Sequence, residues 1–237
     1  MDADAASGRR FRFTYTGPMP MIPFPDHTAE LRLPGPAGRL QALLEWPSGD
    51  AGVDPPIALI CHPHPPDGGT MTNKVVSTLA KAFTDSGFIA LRFNFRGVGA
   101  SDGAYDHGRG ELADCLAVLQ WIRQHRRQTP LALAGFSFGS WIALKAAEQA
   151  APALMVSIAP PVGFRDFADV RHPACQWLAV QGEADEIVPA VGVLDWLHRQ
   201  QPAPEIEAMP DTGHFFHGKL VPLRERVKTF LREHPLR

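Results

Sequence analysis

The apolar and polar positions of the chain follow two alternating patterns. Short, continuous apolar runs such as IALICH, LALAGF and ALMVSI are typical of strands that are covered on both faces. Between these runs lie longer stretches in which apolar residues recur at the spacing of an amphipathic helix. Alternating strands and helices of this length indicate right-handed βαβ crossovers, which place helices on both faces of a mostly parallel sheet. The sequence therefore predicts a doubly wound α/β fold.

Eight strands and five helices are expected. The first two strand patterns alternate and are joined by the turn-forming PGPAG, which predicts an antiparallel pair at the N-terminal edge of the sheet. About fifteen residues separate ALMVSIAP from QWLAVQG, too few for a cap domain with its own core. The predicted strands are TAELRL, GRLQALLEW, IALICH, FIALRFNF, LALAGFS, ALMVSIAP, QWLAVQG and EIEAMP, and the predicted helices are about 73–86, 110–125 and 138–150, VGVLDWLHRQQ, and about 219–233.

The domain organisation follows from the same pattern. Residues 1–27 are irregular and contain the proline-rich PMPMIPFP, which cannot join a central strand. We predict an N-terminal arm there, packed over the domain by Phe11, Phe13 and Tyr15, followed by one α/β domain at residues 28–237.

Composition narrows the class of partner. With 23 Lys plus Arg against 25 Asp plus Glu, no basic field is available to hold nucleic acid or a membrane surface, so a small-molecule substrate is expected. The oligomeric state is left open. The first residues lack a signal-peptide pattern, and Cys61, Cys115 and Cys175 are far apart in apolar contexts, which favours reduced thiols in a cytoplasmic protein.

The pattern G-x-S-x-G occurs twice, around Ser101 and around Ser137. A nucleophilic serine on a strand-to-helix turn needs a helix to begin beside it, because the helix N-terminus directs backbone N–H groups at the developing negative charge. A strong helix former follows Ser137, whereas a glycine-rich loop follows Ser101. Glycines at 135 and 139 would let strand and helix approach closely. Ser137 is the predicted nucleophile and Ser101 a loop residue.

An acid and a base are expected farther along the chain, each just after a strand. The acid prediction is Asp185, with Glu183 and Glu186 as neighbours in the same loop; the alternative is a simple acidic helix-entry turn. The base prediction is His214, which follows EIEAMP.

His217 competes with His214 for the role of base. Two other interpretations stay open for this pair: ordinary surface histidines, or metal ligands spaced H-x-x-H, although that spacing without a placed carboxylate is weak evidence for zinc.

Two backbone N–H groups are expected to stabilise a tetrahedral oxyanion. One is that of Phe138. The second comes from the loop HPHPPDGG, in which proline offers no N–H and His62 is expected to remain in the sheet. His64 is therefore the predicted second donor. Asp67, Gly68 and Gly69 are the alternatives, as is a merely proline-stiffened turn.

The runs CHPHPPDGGTMTNKVV, FNFRGVGASDG and GFSFGS resemble the α/β-hydrolase superfamily, in particular its small, cap-less, dienelactone-hydrolase-like serine hydrolases. The resemblance spans about residues 28–233. It implies that Ser137 is the nucleophile, Asp185 the acid and His214 the base, and that FRGVGASDG is a structural loop. Dienelactone hydrolases proper carry cysteine at the elbow, so their substrate does not transfer.

The expected function is cleavage of small carboxylic esters or thioesters through an acyl-enzyme, with no cofactor and no metal. An apolar wall is expected to favour a short acyl or alkyl group. Three alternatives remain: a peptidase or amidase on the same residues, a non-catalytic binding protein on the hydrolase fold, and a metal-dependent hydrolase using His62, His64 and His214. The candidate wall residues are Phe136, Phe138, Met71, Val162 and Phe164.

Overall fold

A computed structural model describes residues 22–48, 52, 54–168 and 170–236. Most of the predicted arm, including Phe11, Phe13 and Tyr15, lies outside the described residues, and its boundary at residue 27 stays a prediction. The last residues of the arm lie against the domain: the Trp121 indole donates to the carbonyl of Ile22 at 3.0 Å, and the Phe24 ring stacks on Trp121 at 5.1 Å.

The secondary structure follows the predicted alternation. The strands are β1 (Ala29–Gly35), β2 (Gly38–Glu45), β3 (Ile57–Cys61), β4 (Ile89–Phe93), β5 (Leu131–Phe136), β6 (Leu154–Ile158), β7 (Gln176–Gly182) and β8 (Glu205–Met209). The helices are α1 (Lys74–Asp85), α2 (Arg109–His125), α3 (Phe138–Ala150), α4 (Ala190–His198) and α5 (Leu220–Glu233).

The strands form one eight-stranded sheet in the order β1-β2-β4-β3-β5-β6-β7-β8. β1 pairs antiparallel with β2, and β2 pairs antiparallel with β4, while every pairing from β4 to β8 is parallel. This confirms the doubly wound sheet with an antiparallel N-terminal edge. Because the central strands are parallel, the loops that follow β5, β7 and β8 leave the same edge of the sheet.

Each face of the sheet has its own apolar core. One core joins the sheet to α2, α3 and α4, and the other joins it to α1 and α5. β3, β4, β5 and β6 are buried at every position, which explains why their sequences are continuous apolar runs. Each fully buried large side chain contributes about 1.5–3 kcal/mol relative to exposure.

His62 departs from its prediction, because β3 ends at Cys61 and His62 lies one residue beyond the strand. Its fully buried ring accepts the N–H of Phe95 at Nε2 (3.0 Å), so Nδ1 carries the proton and donates to the carbonyl of Pro63 at 2.7 Å. Burial lowers the pKa of His62 to about 3, and the ring is neutral. His62 therefore ties the end of β3 to the end of β4.

The three cysteines are free thiols, as predicted from their spacing. Cys61 and Cys115 are buried with their sulfur atoms 3.8 Å apart, and burial raises the pKa of Cys61. Burial likewise raises the pKa of Cys175 to about 11. Within the described ranges, none of the helices has the length and apolar character that a membrane span requires.

Candidate active site

Ser137 lies at the sharp turn between β5 and α3. Its backbone has φ 51° and ψ −122°, a conformation that costs a non-glycine residue of order 1–3 kcal/mol. Hydrogen bonds on both sides hold it there. The Ser137 N–H donates to the carbonyl of Ile158 at 2.8 Å, and the hydroxyl of the buried Ser140 donates to the Ser137 carbonyl at 2.7 Å.

The glycines that flank this turn have the steric role that the sequence predicted. A Cβ on Gly135 would overlap the backbone of Gly139, and a Cβ on Gly139 would overlap the carbonyl groups of Cys61 and His62. The N-terminus of α3 therefore approaches the ends of β5 and β3 closely, and only glycine fits at either position.

The structure brings Ser137, His214 and Asp185 into one hydrogen-bonded chain. The distance from Ser137 Oγ to His214 Nε2 is 3.1 Å, and the distance from His214 Nδ1 to Asp185 Oδ2 is 2.8 Å. All three residues are 9 % exposed or less. Residues far apart in the sequence thus meet at the carboxyl edge of the sheet.

The Asp185 carboxylate accepts four N–H groups. Oδ1 accepts the backbone N–H groups of Ile187 (2.9 Å) and Val188 (2.7 Å), and Oδ2 accepts the side chains of Gln181 (2.9 Å) and His214. Burial alone would raise the pKa of Asp185, but the hydrogen bonds from His214 and the two backbone amides outweigh it and lower the pKa. Asp185 is therefore ionised, and His214 Nδ1 must donate to it.

The competing acidic and histidine residues occupy other places. Glu186 accepts the backbone N–H of His214 at 3.0 Å, so it supports the histidine loop without touching the ring. Glu183 and His217 are exposed, and the His217 ring lies 5.9 Å from that of Phe215. Of the candidates near positions 185 and 214, only Asp185 hydrogen bonds to the imidazole of His214 in the described structure.

Ser101 lies in the loop after β4 and has a structural environment. Its hydroxyl donates to the carbonyl of Asn94 at 2.7 Å and accepts the N–H of Gln41 at 2.9 Å. The hydroxyl thus joins this loop to the residue after β4 and to β2. The second G-x-S-x-G match thus marks a loop, as predicted.

The loop after β3 leaves His64 as the candidate for a second oxyanion donor. The three alternative donors are already committed: the N–H groups of Asp67 and Gly69 donate to the His64 carbonyl, and that of Gly68 donates to Pro65. No hydrogen bond from the backbone N–H of His64 occurs within the described residues.

Side-chain contacts fix the position of His64. Its ring bonds to Asp67 at 2.7 Å and to the Tyr105 hydroxyl at 2.8 Å. Its centroid lies 5.4 Å from that of Phe138, the residue after Ser137. The contribution of the His64 and Phe138 amides to an oxyanion site stays a prediction.

The predicted apolar wall is wrong in part. Phe136 and Phe138 are 0 % and 1 % exposed, because their rings pack within the two cores, and Met71 is 5 % exposed. Phe164 is instead 61 % exposed, and Val162 is half-buried.

Two residues that contact the site were not singled out from the sequence. Gln181 is fully buried and donates to Asp185; the signal for it was one polar residue inside the apolar strand QWLAVQG. Phe215 follows His214 directly, and its ring packs edge-on against the imidazole at 5.3 Å. Nothing in the pattern separates this exposed phenylalanine from the neighbouring buried Phe216.

The histidines are not arranged as a metal centre. In the described part of the chain, no group of three or more His, Cys, Asp or Glu side chains is placed to hold a metal ion. His62 cannot ligate, since both of its ring nitrogens are hydrogen bonded. The combination of His62, His64 and His214 therefore does not form the site that a metal-dependent hydrolase would need.

Several known proteins resemble this chain in sequence, and solved structures resemble it in fold. A lidless α/β serine hydrolase from Xanthomonas campestris is 46% identical, with a TM-score of 0.86 over 90% of this chain and 98% of that chain. An α/β serine hydrolase homologue from Coxiella burnetii is 42% identical, with a TM-score of 0.83 over 88% of this chain and 100% of that chain. An uncharacterized protein from Rickettsia prowazekii is 36% identical over 209 residues, which is 83% of this chain and 86% of the relative.

The family model of the X-Pro dipeptidyl-peptidases (S15 family) matches residues 38–185. This range includes Ser137 and ends at Asp185. The eight-stranded sheet, the sharp turn at Ser137 and the solved serine hydrolases with the same fold agree with that match. The chain therefore belongs to the X-Pro dipeptidyl-peptidase family of α/β hydrolases, and its fold is that of the serine hydrolases without a lid.

Proposed function

We propose that this protein cleaves small carboxylic ester or thioester bonds through an acyl-enzyme intermediate. The observation that carries the proposal is the hydrogen-bonded chain from Ser137 through His214 to Asp185. A serine hydroxyl is a weak nucleophile until a neighbouring base takes its proton, and this chain supplies the base and the group that orients it.

His214 acts as the base because Asp185 fixes its tautomer. The ionised carboxylate requires a proton on Nδ1, which leaves a lone pair on Nε2 facing Ser137 Oγ at 3.1 Å. As Ser137 attacks the acyl carbon, its proton passes to Nε2, and Asp185 stabilises the resulting imidazolium. The N–H groups of Gln181, Ile187 and Val188, which donate to Asp185, keep this carboxylate in place throughout.

The backbone N–H groups of Phe138 and His64 are proposed to bind the oxyanion. Phe138 is the first residue of α3, so its N–H has no partner one turn earlier in the helix and points out of the helix N-terminus. His64 lies in a turn stiffened by Pro63, Pro65 and Pro66 and anchored through its ring, so little reorganisation is needed. Removing one such donor costs about 3 kcal/mol in a typical acyl-transfer site.

Hydrolysis is completed by a second half-reaction. His214 first gives the proton to the departing alcohol or thiol. Water then attacks the acyl-enzyme while His214 again acts as base and takes a proton from the water. His214 returns this proton to Ser137 Oγ as the acid product is released. No cofactor takes part in either half. The near balance of acidic and basic residues supports a small-molecule substrate, and the three free thiols support a cytoplasmic location.

A peptidase on the same residues is the second candidate, and the family match favours it. An enzyme that removes dipeptides must also bind the substrate's terminal ammonium group, which calls for an available carboxylate. Among the carboxylates bonded to site residues, Asp185 is filled by four N–H groups, and Glu186 and Asp67 already hold the His214 backbone and the His64 ring. This supports an ester as the lead substrate class.

A substrate panel tests the proposal. Purified protein is assayed with nitrophenyl acetate and butyrate, a thioester, and the nitroanilides of X-Pro dipeptides, with the Ser137→Ala variant as control. Ester or thioester turnover that is lost in Ser137→Ala supports the proposal. Turnover of anilides alone would assign the peptidase activity instead, and turnover of neither would favour a binding protein on the hydrolase fold.

A further inference from the structure

In the described part of the chain, the most exposed large apolar side chains lie at one end of the sheet. Across the described residues, the large apolar side chains with the greatest exposure all lie in loops after β6, β7 and β8 or in the first turns of α4 and α5. These segments surround the carboxyl edge of the sheet, where Ser137 lies. The residues are Phe164, Ile187, Val191, Phe215 and Val221.

Phe215 is the member of this set that touches the proposed catalytic groups. Its ring meets the His214 imidazole edge-on, with centroids 5.3 Å apart at 87°. The buried Phe136 also packs against the imidazole, at 5.1 Å, and its ring lies 6.4 Å from that of Phe215. Phe215 is 41 % exposed, whereas His214 is 3 % exposed. The aromatic ring is thus the accessible surface next to the imidazole.

Hydrogen bonds fix the backbone of the turn that carries His214 and Phe215. His214 and Phe215 are the two central residues of a turn closed by a hydrogen bond from the Phe216 N–H to the Gly213 carbonyl at 3.1 Å. Phe216 itself has a positive φ of 54° and is fully buried. Glu186 ties the same turn to the loop after β7 by accepting the His214 N–H. The Cα of Phe215 therefore keeps a fixed position relative to His214.

The proposed reaction places the leaving group beside this ring. When the tetrahedral intermediate collapses, the bond between the acyl carbon and the alcohol oxygen breaks, and its electron pair stays on that oxygen. The proton on His214 Nε2 passes to the same oxygen, and the neutral alcohol departs. The alcohol oxygen must therefore lie within hydrogen-bond reach of Nε2. The rest of the alcohol then extends past the imidazole, where Phe215 is exposed.

We infer that Phe215 selects the alcohol part of the substrate, and that this part is aromatic or otherwise bulky and apolar. The inference rests on the proposed esterase function and narrows its substrate class. An aromatic alcohol would pack against this ring, and aromatic pairs attract each other beyond the gain from burying their surface. The carbonyl oxygen of the acyl group binds at the Phe138 amide, and the inference assigns Phe215 to the alcohol and not to the acyl chain.

Two ester series test this assignment. One series keeps the acetyl group and varies the alcohol from ethanol to benzyl alcohol and naphthylmethanol; the other keeps ethanol and lengthens the acyl group from acetyl to octanoyl. The values of kcat/KM are measured for the wild-type protein, Phe215→Ala, the ring-retaining Phe215→Tyr, and Val221→Ala as the matched control. Val221 is 62 % exposed in the first turn of α5, the helix that follows the same loop.

We expect Phe215→Ala to lower kcat/KM for the benzyl and naphthylmethyl acetates about tenfold and to leave ethyl acetate within about twofold, since only the aromatic contact is lost. Phe215→Tyr retains the preference, and Val221→Ala leaves both series unchanged. A uniform loss in both series, a loss confined to the acyl series, or no change in Phe215→Ala overturns the inference. If the wild-type protein cleaves no ester, the proposed function fails as well. If it cleaves esters but shows no preference among the alcohols, only the inference about Phe215 fails.

Discussion

Replacing Asp185 by asparagine should disable the enzyme while leaving its fold intact. Asp185 Oδ1 accepts two backbone N–H groups, from Ile187 at 2.9 Å and Val188 at 2.7 Å. In Asp185→Asn, the amide oxygen must take this position, because the two backbone N–H groups cannot become acceptors. The Gln181 amide and the His214 imidazole, which face Oδ2, can each present an acceptor instead. The amide nitrogen is then forced toward His214.

This orientation reverses the tautomer of His214. Nδ1 now faces an N–H donor instead of a carboxylate at 2.8 Å, so it must act as the acceptor, and the ring proton moves to Nε2. Nε2 then donates toward Ser137 Oγ and cannot take the serine proton. Loss of the correct tautomer in this arrangement lowers kcat roughly 10⁴-fold, which corresponds to about 5 kcal/mol of transition-state stabilisation.

The assay compares kcat for nitrophenyl acetate hydrolysis in wild type, Asp185→Asn and Glu186→Gln. Glu186→Gln is the matched control, because a glutamine oxygen can still accept the His214 backbone N–H and does not touch the ring. We expect this control to stay within about tenfold of wild type, and both variants to melt near the wild-type temperature. If Asp185→Asn retained more than a tenth of the activity, or if Glu186→Gln were equally inactive, the assignment of the acid would be wrong.

Three further predictions concern the structure that supports the site. Ser140→Ala removes one donor to the Ser137 carbonyl, which still accepts the Ser140 N–H, so urea denaturation should show a loss of about 1 kcal/mol; a loss above about 3 kcal/mol would mean that the turn depends on this hydroxyl far more. The pKa of His62 is lowered to about 3 in the native protein, whereas an unfolded histidine titrates near pH 6.5. As the pH is lowered below about 6.5, the unfolded chain therefore binds a proton that the native protein does not, and the unfolding free energy decreases. Between about pH 7.5 and pH 5, the unfolding free energy of wild type should fall about 2 kcal/mol more than that of His62→Gln; equal losses would contradict a neutral buried ring. Asp114→Ala leaves the guanidinium of Arg96 without its paired carboxylate, now at 2.7 Å and 3.0 Å, and should cost about 3 kcal/mol in the same assay, whereas a cost below about 1 kcal/mol would show that the pair is dispensable.

The sequence predicted the fold well because its local signals are consistent. The continuous apolar runs coincide with buried strands, and the glycine pair around Ser137 coincides with a close helix approach. Ser137, Asp185 and His214 each follow a predicted strand of the parallel part of the sheet, and parallel strands end at the same edge of a sheet. For these three residues, the pattern alone was enough to predict proximity.

What the sequence did not reveal depends on contacts between distant loops. His62 was expected to continue β3, but its ring pairs with the backbone of Phe95, which follows β4. Phe138 was expected to line a wall, but its ring faces the core, because the residue after the nucleophile turns inward as α3 begins. The exposure of Phe215 beside the buried Phe216 follows from a turn geometry that both residues share, and no pattern of apolar positions distinguishes them.

The central claim is that Ser137 is activated by His214 and Asp185. The most direct measurement is labelling with a fluorophosphonate, followed by peptide mapping of the modified residue by mass spectrometry. We predict one phosphonylated residue, Ser137, with no labelling in Ser137→Ala and strongly slowed labelling in Asp185→Asn. Labelling at another serine, Ser101 included, or none at all in folded wild-type protein would contradict the account.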